Sequence, residues 1–198
     1  MKDYFYEDTL EAGIDECSQG ALIGPVFIGC VILPQYDDNP LWNNIKDSKK
    51  LSNKKRFELE EYIKTIAIDY CVETGSVDDI DKYNILETKL ITMHKALDKI
   101  TKPEHILVDG DRFRPYMDES GPYTHTLIIQ GDNKYKSIAA ASILAKCEQV
   151  RYMEELAKKY PAYSFEKNHG YGTKQHIEAI RKYGYLKEHR KSFKIKSL

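Results

Sequence analysis

The chain has 198 residues, of which 41% are apolar and 31% charged, with a formal net charge of −1. This composition is typical of a folded globular domain and excludes a disordered chain, and no apolar stretch is long enough to predict a membrane span. We expect no secretory signal at the acidic, aromatic N-terminus, and four scattered cysteines without a CxxC pair predict reduced thiols, no zinc site and a cytoplasmic location.

The first third of the chain predicts two buried strands followed by a helix. The stretches EAGIDECS and GPVFIGCVIL are short and rich in apolar residues, as expected of strands, and Pro34 ends the second one. The stretch DSKKLSNKKRFELEEYIKTI starts with Asp and Ser and then repeats apolar residues at helical spacing. It therefore predicts a helix over 47–66.

The middle of the chain predicts three more strands around one or two helices. AIDYCVETGSV alternates and predicts a strand, whereas DDIDKYNILETKLITMHKALDKI predicts an amphipathic helix, or two helices broken near Tyr83 and Asn84. HILVDG and HTLIIQGD each predict a short buried strand, the first ending in Asp109 and the second in Asp132.

The last third predicts two helices. The long stretch KSIAAASILAKCEQVRYMEELAKKY is apolar all round at its start, which indicates deep burial there, and Pro161 stops it. GTKQHIEAIRKYG predicts a short helix with Thr173 as N-cap and Gly184 at its end. The order of strands and helices along the chain predicts an α/β fold with a mixed sheet, in which sites usually lie at the carboxyl ends of parallel strands.

Acidic residues stand in or directly after three of the predicted strands: Asp15, Glu16, Asp109 and Asp132. Such acids can converge at one edge of the sheet, where unpaired carboxylates in a low-dielectric site repel each other. A bound cation resolves this repulsion, and oxygen ligands without His or Cys suit Mg²⁺ or Mn²⁺. Two such ions about 4 Å apart can clamp a phosphodiester, so the pattern predicts a two-ion site for phosphodiester hydrolysis.

Each acid also has a structural interpretation. The Asp132 carboxylate could cap a turn or a helix, since QGDN is a turn signal. Asp15 and Glu16 could pair with basic residues from elsewhere, although an adjacent acidic pair on a buried strand normally points to both faces of the sheet.

Positive charge is concentrated in the last third of the chain. Residues 133–198 contain 15 Lys and Arg against 6 Asp and Glu, whereas the remainder carries a net charge of −10. Residues 167–198 carry a net charge of +7 and include four aromatic residues, Tyr171, Tyr183, Tyr185 and Phe193. This arrangement predicts a polyanionic partner bound with strong salt dependence, and the alternative is a set of solvated helix faces.

Several motifs together make the chain resemble the type 2 ribonucleases H, most closely bacterial ribonuclease HII. The resemblance covers roughly residues 11–193 and rests on these stretches in the family's order: GIDECSQGALIGPVFIGCVIL, DSKKLSNKKR, YNILETKL, ILVDGD, IIQGD, SIAAASILAK, YPAYSFEKNHGYGTKQHIEAI and HRKSF. It implies a ribonuclease H-like α/β fold, a five-stranded mixed sheet flanked by helices. We expect a catalytic domain over 1–165 and a basic C-terminal helical extension that binds substrate over 166–198.

The resemblance implies a metal-dependent endoribonuclease that hydrolyses the RNA strand of RNA/DNA hybrids and leaves 5′-phosphate and 3′-hydroxyl ends. The family's metal ligands match Asp15, Glu16, Asp109 and Asp132, which would hold two Mg²⁺ or Mn²⁺ ions. We expect a monomer without a clamp-recruiting tail, acting on RNA/DNA hybrid or ribonucleotide-containing duplex DNA. The alternatives are another metal-dependent nuclease on the same fold and a non-catalytic nucleic-acid-binding module.

The resemblance also assigns substrate contacts. Where the family has Gly-Arg-Gly, which senses the 2′-hydroxyl, this chain has Ser18-Gln19-Gly20. Tyr171 matches the ring that stacks on the deoxyribose beside the ribonucleotide, with a plain surface aromatic as the alternative. Lys49 and His169 could contact phosphates or could simply be exposed.

The missing glycine and arginine predict a change of substrate preference. Gln19 lacks the charged donor fork of an arginine, and Ser18 lacks the backbone freedom of a glycine. We expect hybrid cleavage to persist and incision at single ribonucleotides in DNA to be weakened or lost. In the rival hypothesis Gln19 replaces the arginine through neutral hydrogen bonds and the preference is unchanged.

Overall fold

A five-stranded mixed sheet forms the centre of the computed structural model, which describes residues 1–46 and 51–195. The strands of the sheet lie in the order β3-β2-β1-β4-β7; β1, β4 and β7 are parallel, and β2 is antiparallel to both of its neighbours. A separate two-stranded hairpin precedes the last strand. The strands are β1 (Glu11–Cys17), β2 (Val26–Ile32), β3 (Asp69–Gly75), β4 (His105–Asp109), β5 (Met117–Asp118), β6 (Gly121–Pro122) and β7 (Thr124–Ile128).

Six α-helices are found in the described part of the chain, and most begin at a polar cap. They are α1 (Asn53–Ile66), α2 (Val77–Tyr83), α3 (Ile85–Lys99), α4 (Lys136–Lys159), α5 (Phe165–Asn168) and α6 (Lys174–Tyr183). The predicted break after Tyr83 is confirmed, because Asn84 has φ 71° and its side chain accepts the N–H groups of Leu86 and Glu87. The predicted N-cap Thr173 is also confirmed, whereas α5 was not predicted.

The helix predicted over 47–66 begins later in the described chain. Residues 47–50 lie outside the described residues, and Ser52 caps the N–H of Lys55 so that α1 starts at Asn53. The first four residues of that predicted helix, Lys49 among them, therefore stay a prediction.

Helices pack on both faces of the sheet, and α4 approaches it closely. Two strand glycines face α4: a Cβ at Gly13 would lie 2.2 Å from the backbone carbon of Ser137, and one at Gly29 would lie 2.1 Å from the carbonyl oxygen of Ala141. On the opposite face α3 contributes Met93 and other apolar side chains to a core shared with β1 and β2. Backbone-to-backbone contact with α4 thus sets the position of β1, the strand that carries the first two acids.

The prediction that HTLIIQGD forms a buried strand ending in Asp132 is wrong. Strand β7 ends at Ile128 and is the edge of the sheet, so most of its side chains are at least partly exposed. Gln130 then takes a left-handed conformation with φ 56°, and a short 3₁₀ turn over Gly131–Asn133 follows. Asp132 therefore lies in a turn between β7 and α4 rather than at a strand end.

The C-terminal segment packs on the far end of α4. Its apolar side chains form a cluster with Ile23, Met153 and Leu156, and an antiparallel bridge joins Ile23 to His189. The division of the chain at residue 165 stays a prediction. In residues 1–46 and 51–195 no helix combines the length and the apolar character that crossing a bilayer requires.

The contact between β1 and α4 predicts a large effect of one added methyl group. Gly13→Ala should lower the free energy of unfolding by about 3 kcal/mol or more, because the methyl group meets backbone that cannot turn away. Gly20→Ala is the matched control, since a Cβ there would lie 3.9 Å from its nearest neighbour. Urea unfolding of both variants measures the effect, and equal midpoints would contradict the prediction.

Candidate active site

The end of β1 places two carboxylates in different surroundings. Asp15 is only 3% exposed and is hydrogen-bonded to the side chain of Ser142 in α4, while its Oδ1 accepts the backbone N–H of Glu16 at 2.7 Å. Glu16 instead lies beside α3, where its Oε2 is 3.6 Å from Nζ of the buried Lys89. Glu16 thus has a basic partner in Lys89, and the two acids contact different helices.

The other two acids follow the neighbouring parallel strands. Asp109 ends β4, directly beside β1, and its Oδ1 accepts the backbone N–H of Gly131 at 2.6 Å. Asp132, which follows Gly131 in the chain, is 3% exposed, and its Oδ1 accepts a hydrogen bond from the side-chain amide of Asn133 at 3.0 Å. Asp132 therefore lies in a turn, as its structural interpretation predicted. It directly follows Gly131, whose backbone N–H donates to Asp109.

Three of these carboxylates share one electrostatic environment. The pKa of Asp15 is raised well above its usual value, first by burial and then by the charges of Glu16 and Asp109. The hydrogen bonds of Asp15 lower this pKa, but they offset only part of the rise. Within the ranges 1–46 and 51–195, however, no three His, Cys, Asp or Glu side chains are arranged so that they could hold a metal ion as they stand. The donors are oxygen atoms of the kind that hard divalent cations prefer, while their present hydrogen bonds go to protein groups.

A cavity of about 490 Å³ opens beside Glu16. Five of the predicted substrate residues line it, namely Ser18, Gln19, Gly20, His169 and Tyr171, together with Cys17, Asn53, Arg56, Ser142 and Lys146. Segments 150 residues apart in the sequence thus meet next to one of the acids. The remaining predicted contact, Lys49, lies outside the described residues.

The Ser18-Gln19-Gly20 segment is a tight turn. The carbonyl oxygen of Ser18 accepts the N–H of Ala21 at 3.1 Å, and Ser18 has φ 75°. That left-handed conformation favours glycine and costs another residue about 1–2 kcal/mol. Serine therefore takes the backbone geometry that a glycine would adopt most easily. Gly20 faces the ring of Tyr171, since a Cβ at Gly20 would lie 3.9 Å from its Cε1.

His169 and Tyr171 line the cavity from the segment between α5 and α6. Tyr171 is 38% exposed, and Nζ of Lys146 lies 5.9 Å from its ring centroid. Burial, and then the charge of Lys146, lowers the pKa of His169, so its imidazole is neutral at pH 7. His169 is half-buried rather than an exposed loop residue, and a contact with a phosphate would use a neutral N–H donor.

Sequence reasoning missed several residues around the cavity. Ser142 and Lys146 lie four residues apart in α4, and polar residues at this spacing in the apolar stretch SIAAASILAK were a signal for them. Arg56 is buried and donates hydrogen bonds to the Asn53 side chain at 2.7 Å and to the Leu51 carbonyl at 2.8 Å. No sequence pattern distinguishes Arg56 from the other basic residues of α1.

Two buried histidines connect Tyr171 to the C-terminal segment. His189 Nδ1 accepts the N–H of Leu186 at 2.8 Å, so its Nε2 carries the proton and donates to His176 Nε2 at 3.1 Å. His176 Nδ1–H then donates to the carbonyl oxygen of Tyr171 at 3.0 Å. All of these bonds require both rings to be neutral. Burial lowers the pKa of both histidines, and the neighbouring His176 further lowers that of His189, to about 4.

Comparison with known proteins agrees with this architecture. The family model for ribonuclease HII matches residues 12–196. The ribonuclease HII of Parabacteroides distasonis is 47% identical over 193 residues, which cover 97% of this chain and 94% of that protein. The ribonuclease H2 of Pyrococcus horikoshii has a TM-score of 0.75 and 27% identity, with 92% and 93% of the two chains covered. The ribonuclease HII of Archaeoglobus fulgidus, solved in complex with PCNA, has a TM-score of 0.77 and 28% identity, with 94% and 96% covered.

The mixed sheet with helices on both faces and acids after its parallel strands defines a nuclease with the ribonuclease H-like fold, as the resemblance implied. Within that class, the chain belongs to the ribonuclease HII family. It is a metal-dependent endoribonuclease that cleaves the RNA of RNA/DNA hybrids. This membership decides against the two alternatives that the sequence left open.

The neutral histidine pair predicts a pH-dependent stability. Between pH 6.5 and about 4 the unfolded chain binds a proton at His189 that the native state does not, so the free energy of unfolding falls as the pH is lowered through this range. The loss should reach on the order of 3 kcal/mol at the acidic end and be absent above pH 7. Urea unfolding from pH 7 to 4 measures it. In His189→Gln the free energy of unfolding should depend less on pH between 7 and 4. The same pH dependence in both proteins would contradict a neutral His189 in the native state.

Proposed function

We propose that catalysis uses a divalent-cation site formed by Asp15, Glu16, Asp109 and Asp132, next to a cavity that recognises the substrate sugar. The observation that carries this proposal is the cavity itself, which brings the Ser18–Gly20 turn and Tyr171 together beside Glu16. The electrostatic coupling of Asp15 to Glu16 and Asp109 supports the acid cluster. The cavity and the acid cluster are each formed by residues that are distant in sequence, so the fold brings these residues together.

The donor set suits Mg²⁺ or Mn²⁺ because all four ligands are carboxylates. When bound, two such ions would activate the attacking water and stabilise the leaving oxygen, and hydrolysis would leave 5′-phosphate and 3′-hydroxyl ends. Ser142 holds the Asp15 carboxylate in place, and the Lys89 ammonium offsets the charge of Glu16 while no substrate is present. The hydrogen bond from Gly131 fixes Asp109 in the same way.

The cavity recognises the junction between RNA and DNA in this proposal. The backbone of the Ser18–Gly20 turn approaches the 2′-hydroxyl, and the exposed ring of Tyr171 stacks on the next sugar. His169 contributes a neutral donor, and Lys49 contributes a phosphate contact from the segment before α1.

The exposed cations of the C-terminal segment bind the duplex backbone in this proposal: Lys167, Lys174, Arg181, Lys182, Lys187, Lys191 and Lys194. Tyr183 and Tyr185 are exposed among them, whereas Phe193 is partly buried against the core. Monomeric state, the lack of a clamp-recruiting tail and cytoplasmic location stay predictions.

Substrate preference depends on the difference from Gly-Arg-Gly. Ser18 keeps the left-handed backbone, so the missing guanidinium at Gln19 is the larger chemical change. We therefore propose that continuous RNA/DNA hybrids are cleaved well and that single ribonucleotides in duplex DNA are incised less efficiently. Equal efficiency on both substrates would favour the rival hypothesis, in which Gln19 replaces the arginine.

Removal of one proposed ligand tests the metal site. Asp15→Asn should lower cleavage of a labelled RNA/DNA hybrid on the order of 10³-fold, because the cation supplies several kcal/mol of transition-state stabilisation. Mn²⁺ should raise the melting temperature of the unchanged protein by about 5 °C or more and that of the variant much less. Asp111→Asn, an exposed residue two positions after Asp109, is the matched control and should retain both responses. Full activity of Asp15→Asn would reject the proposed ligand set.

Restoring the charge at residue 19 tests the substrate proposal. Gln19→Arg should raise incision at a single ribonucleotide by about tenfold relative to a continuous hybrid, the effect of one charge-assisted hydrogen bond to phosphate. Gln175→Arg adds the same charge on α6 outside the cavity and should affect both substrates equally. Values of kcat/KM for the two duplexes give the ratio, and an unchanged ratio in Gln19→Arg would contradict the prediction.

A further inference from the structure

A buried arginine, Arg190, stabilises the Ser18–Gly20 turn through a hydrogen bond to its backbone. Arg190 is 1% exposed, and its guanidinium donates three hydrogen bonds to backbone carbonyl oxygens. Nη1 bonds to Gln19 at 3.0 Å, Nε to Gly24 at 2.8 Å and Nη2 to Pro25 at 2.9 Å. One side chain thus joins the Ser18–Gly20 turn to the turn that leads into β2.

The chemistry of this contact requires an arginine. Burial of a charged group is costly unless its donors are satisfied, and here burial lowers the pKa of Arg190 to about 10. The planar guanidinium reaches carbonyl groups in three directions, whereas a lysine ammonium on a flexible stem cannot reproduce that fork. The ring of Phe193 lies 5.2 Å from the guanidinium carbon and covers it. The side chain is therefore built into the fold and does not face a phosphate.

The hydrogen bond to Gln19 also fixes a neighbouring donor. A peptide group is planar, and its C=O and N–H point in opposite directions. Because the Gln19 carbonyl points at Arg190, the N–H of Gly20 must point away from Arg190. Gly20 lines the cavity, where Tyr171 is its neighbour. The arginine thus determines the direction in which the turn presents a backbone donor.

His189, the residue before Arg190, acts on the segment that carries Tyr171. His189 donates a hydrogen bond to His176, which in turn donates one to the Tyr171 carbonyl. The backbone of the same segment pairs with residues 22–24, through bonds from Arg190 N to the Leu22 carbonyl at 2.9 Å and from Gly24 N to the Glu188 carbonyl at 2.9 Å. His189 and Arg190 thereby hold the Ser18–Gly20 turn and the segment that carries Tyr171 at a fixed separation.

We propose that Arg190 is a positioning residue for substrate recognition: it fixes the Gln19–Gly20 peptide relative to Tyr171 and so determines where the cut falls relative to the RNA–DNA junction. This inference rests on the proposed role of the cavity. A displacement of about 1 Å at such a site can cost 10²-fold in rate, so loss of the fork changes the chemistry without removal of any group that contacts substrate.

The test compares Arg190→Gln and Arg190→Lys with the unchanged protein, in Mn²⁺ and well below each melting temperature. The substrate is a labelled DNA duplex with four consecutive ribonucleotides in one strand, and a continuous hybrid is cut in parallel. We expect a cut position displaced from that of the unchanged protein, kcat reduced about tenfold or more, and the Mn²⁺-dependent rise in melting temperature retained. Arg190→Lys should behave like Arg190→Gln, because charge without the fork does not orient the turn.

Asp81→Asn is the control for a purely structural role. Asp81 in α2 accepts hydrogen bonds from the backbone N–H groups of Lys191 and Ser192, so this change loosens the same tail without contact to the turn. It should lower the melting temperature and leave the cut position unchanged.

The outcomes separate the inference from the function on which it rests. An unchanged cut position and kcat in the Arg190 variants, or the same displacement in Asp81→Asn, would overturn the inference. If Arg190→Gln does not fold, the same criteria applied to Arg190→Lys decide. Failure of the unchanged protein to cut either duplex would instead reject the proposed function.

Discussion

The close contact between helix α4 and the sheet is the constraint on which the rest of the structure depends. Gly13 and Gly29 allow the backbone of α4 to contact β1 and β2, and the space between the helix and these strands is too small for a side chain. This contact brings Ser142 to the Asp15 carboxylate, and one turn later it brings Lys146 to the cavity. The helix is therefore both the main packing element of the core and one wall of the site.

Much of this arrangement could be predicted from local patterns. Apolar runs located β1, β2 and β4, and acids in the first and third of these indicated a cation site, because such charges are costly in a buried strand. The edge strand β7 was misjudged, since a short apolar run does not reveal whether a strand has one neighbour or two. The position of Asp132 in a turn depends on the left-handed backbone at Gln130, which only the folded chain specifies.

The contacts that hold the cavity together could not be predicted. Arg190 belongs to a basic segment, and by composition it is indistinguishable from the exposed lysines around it. Its burial follows from pairing of residues 188–190 with residues 22–24, a contact between opposite ends of the chain. The histidine pair is of the same kind, because the local sequence around His176 and His189 does not show that the two rings are hydrogen-bonded to each other. Long-range hydrogen bonds of buried polar groups carry information that local propensity does not.

The order in which the chain is synthesised gives this pairing a further meaning. All four acids and Ser142 lie in the first 142 residues, so the sheet and the start of α4 can assemble while the ribosome still adds the remainder. The turn at Ser18–Gly20 receives its hydrogen bond from Arg190 only after residue 190 has emerged. A nascent chain would thus acquire its carboxylates before the part that orients a nucleic acid over them, and hydrolytic competence would follow completion of synthesis.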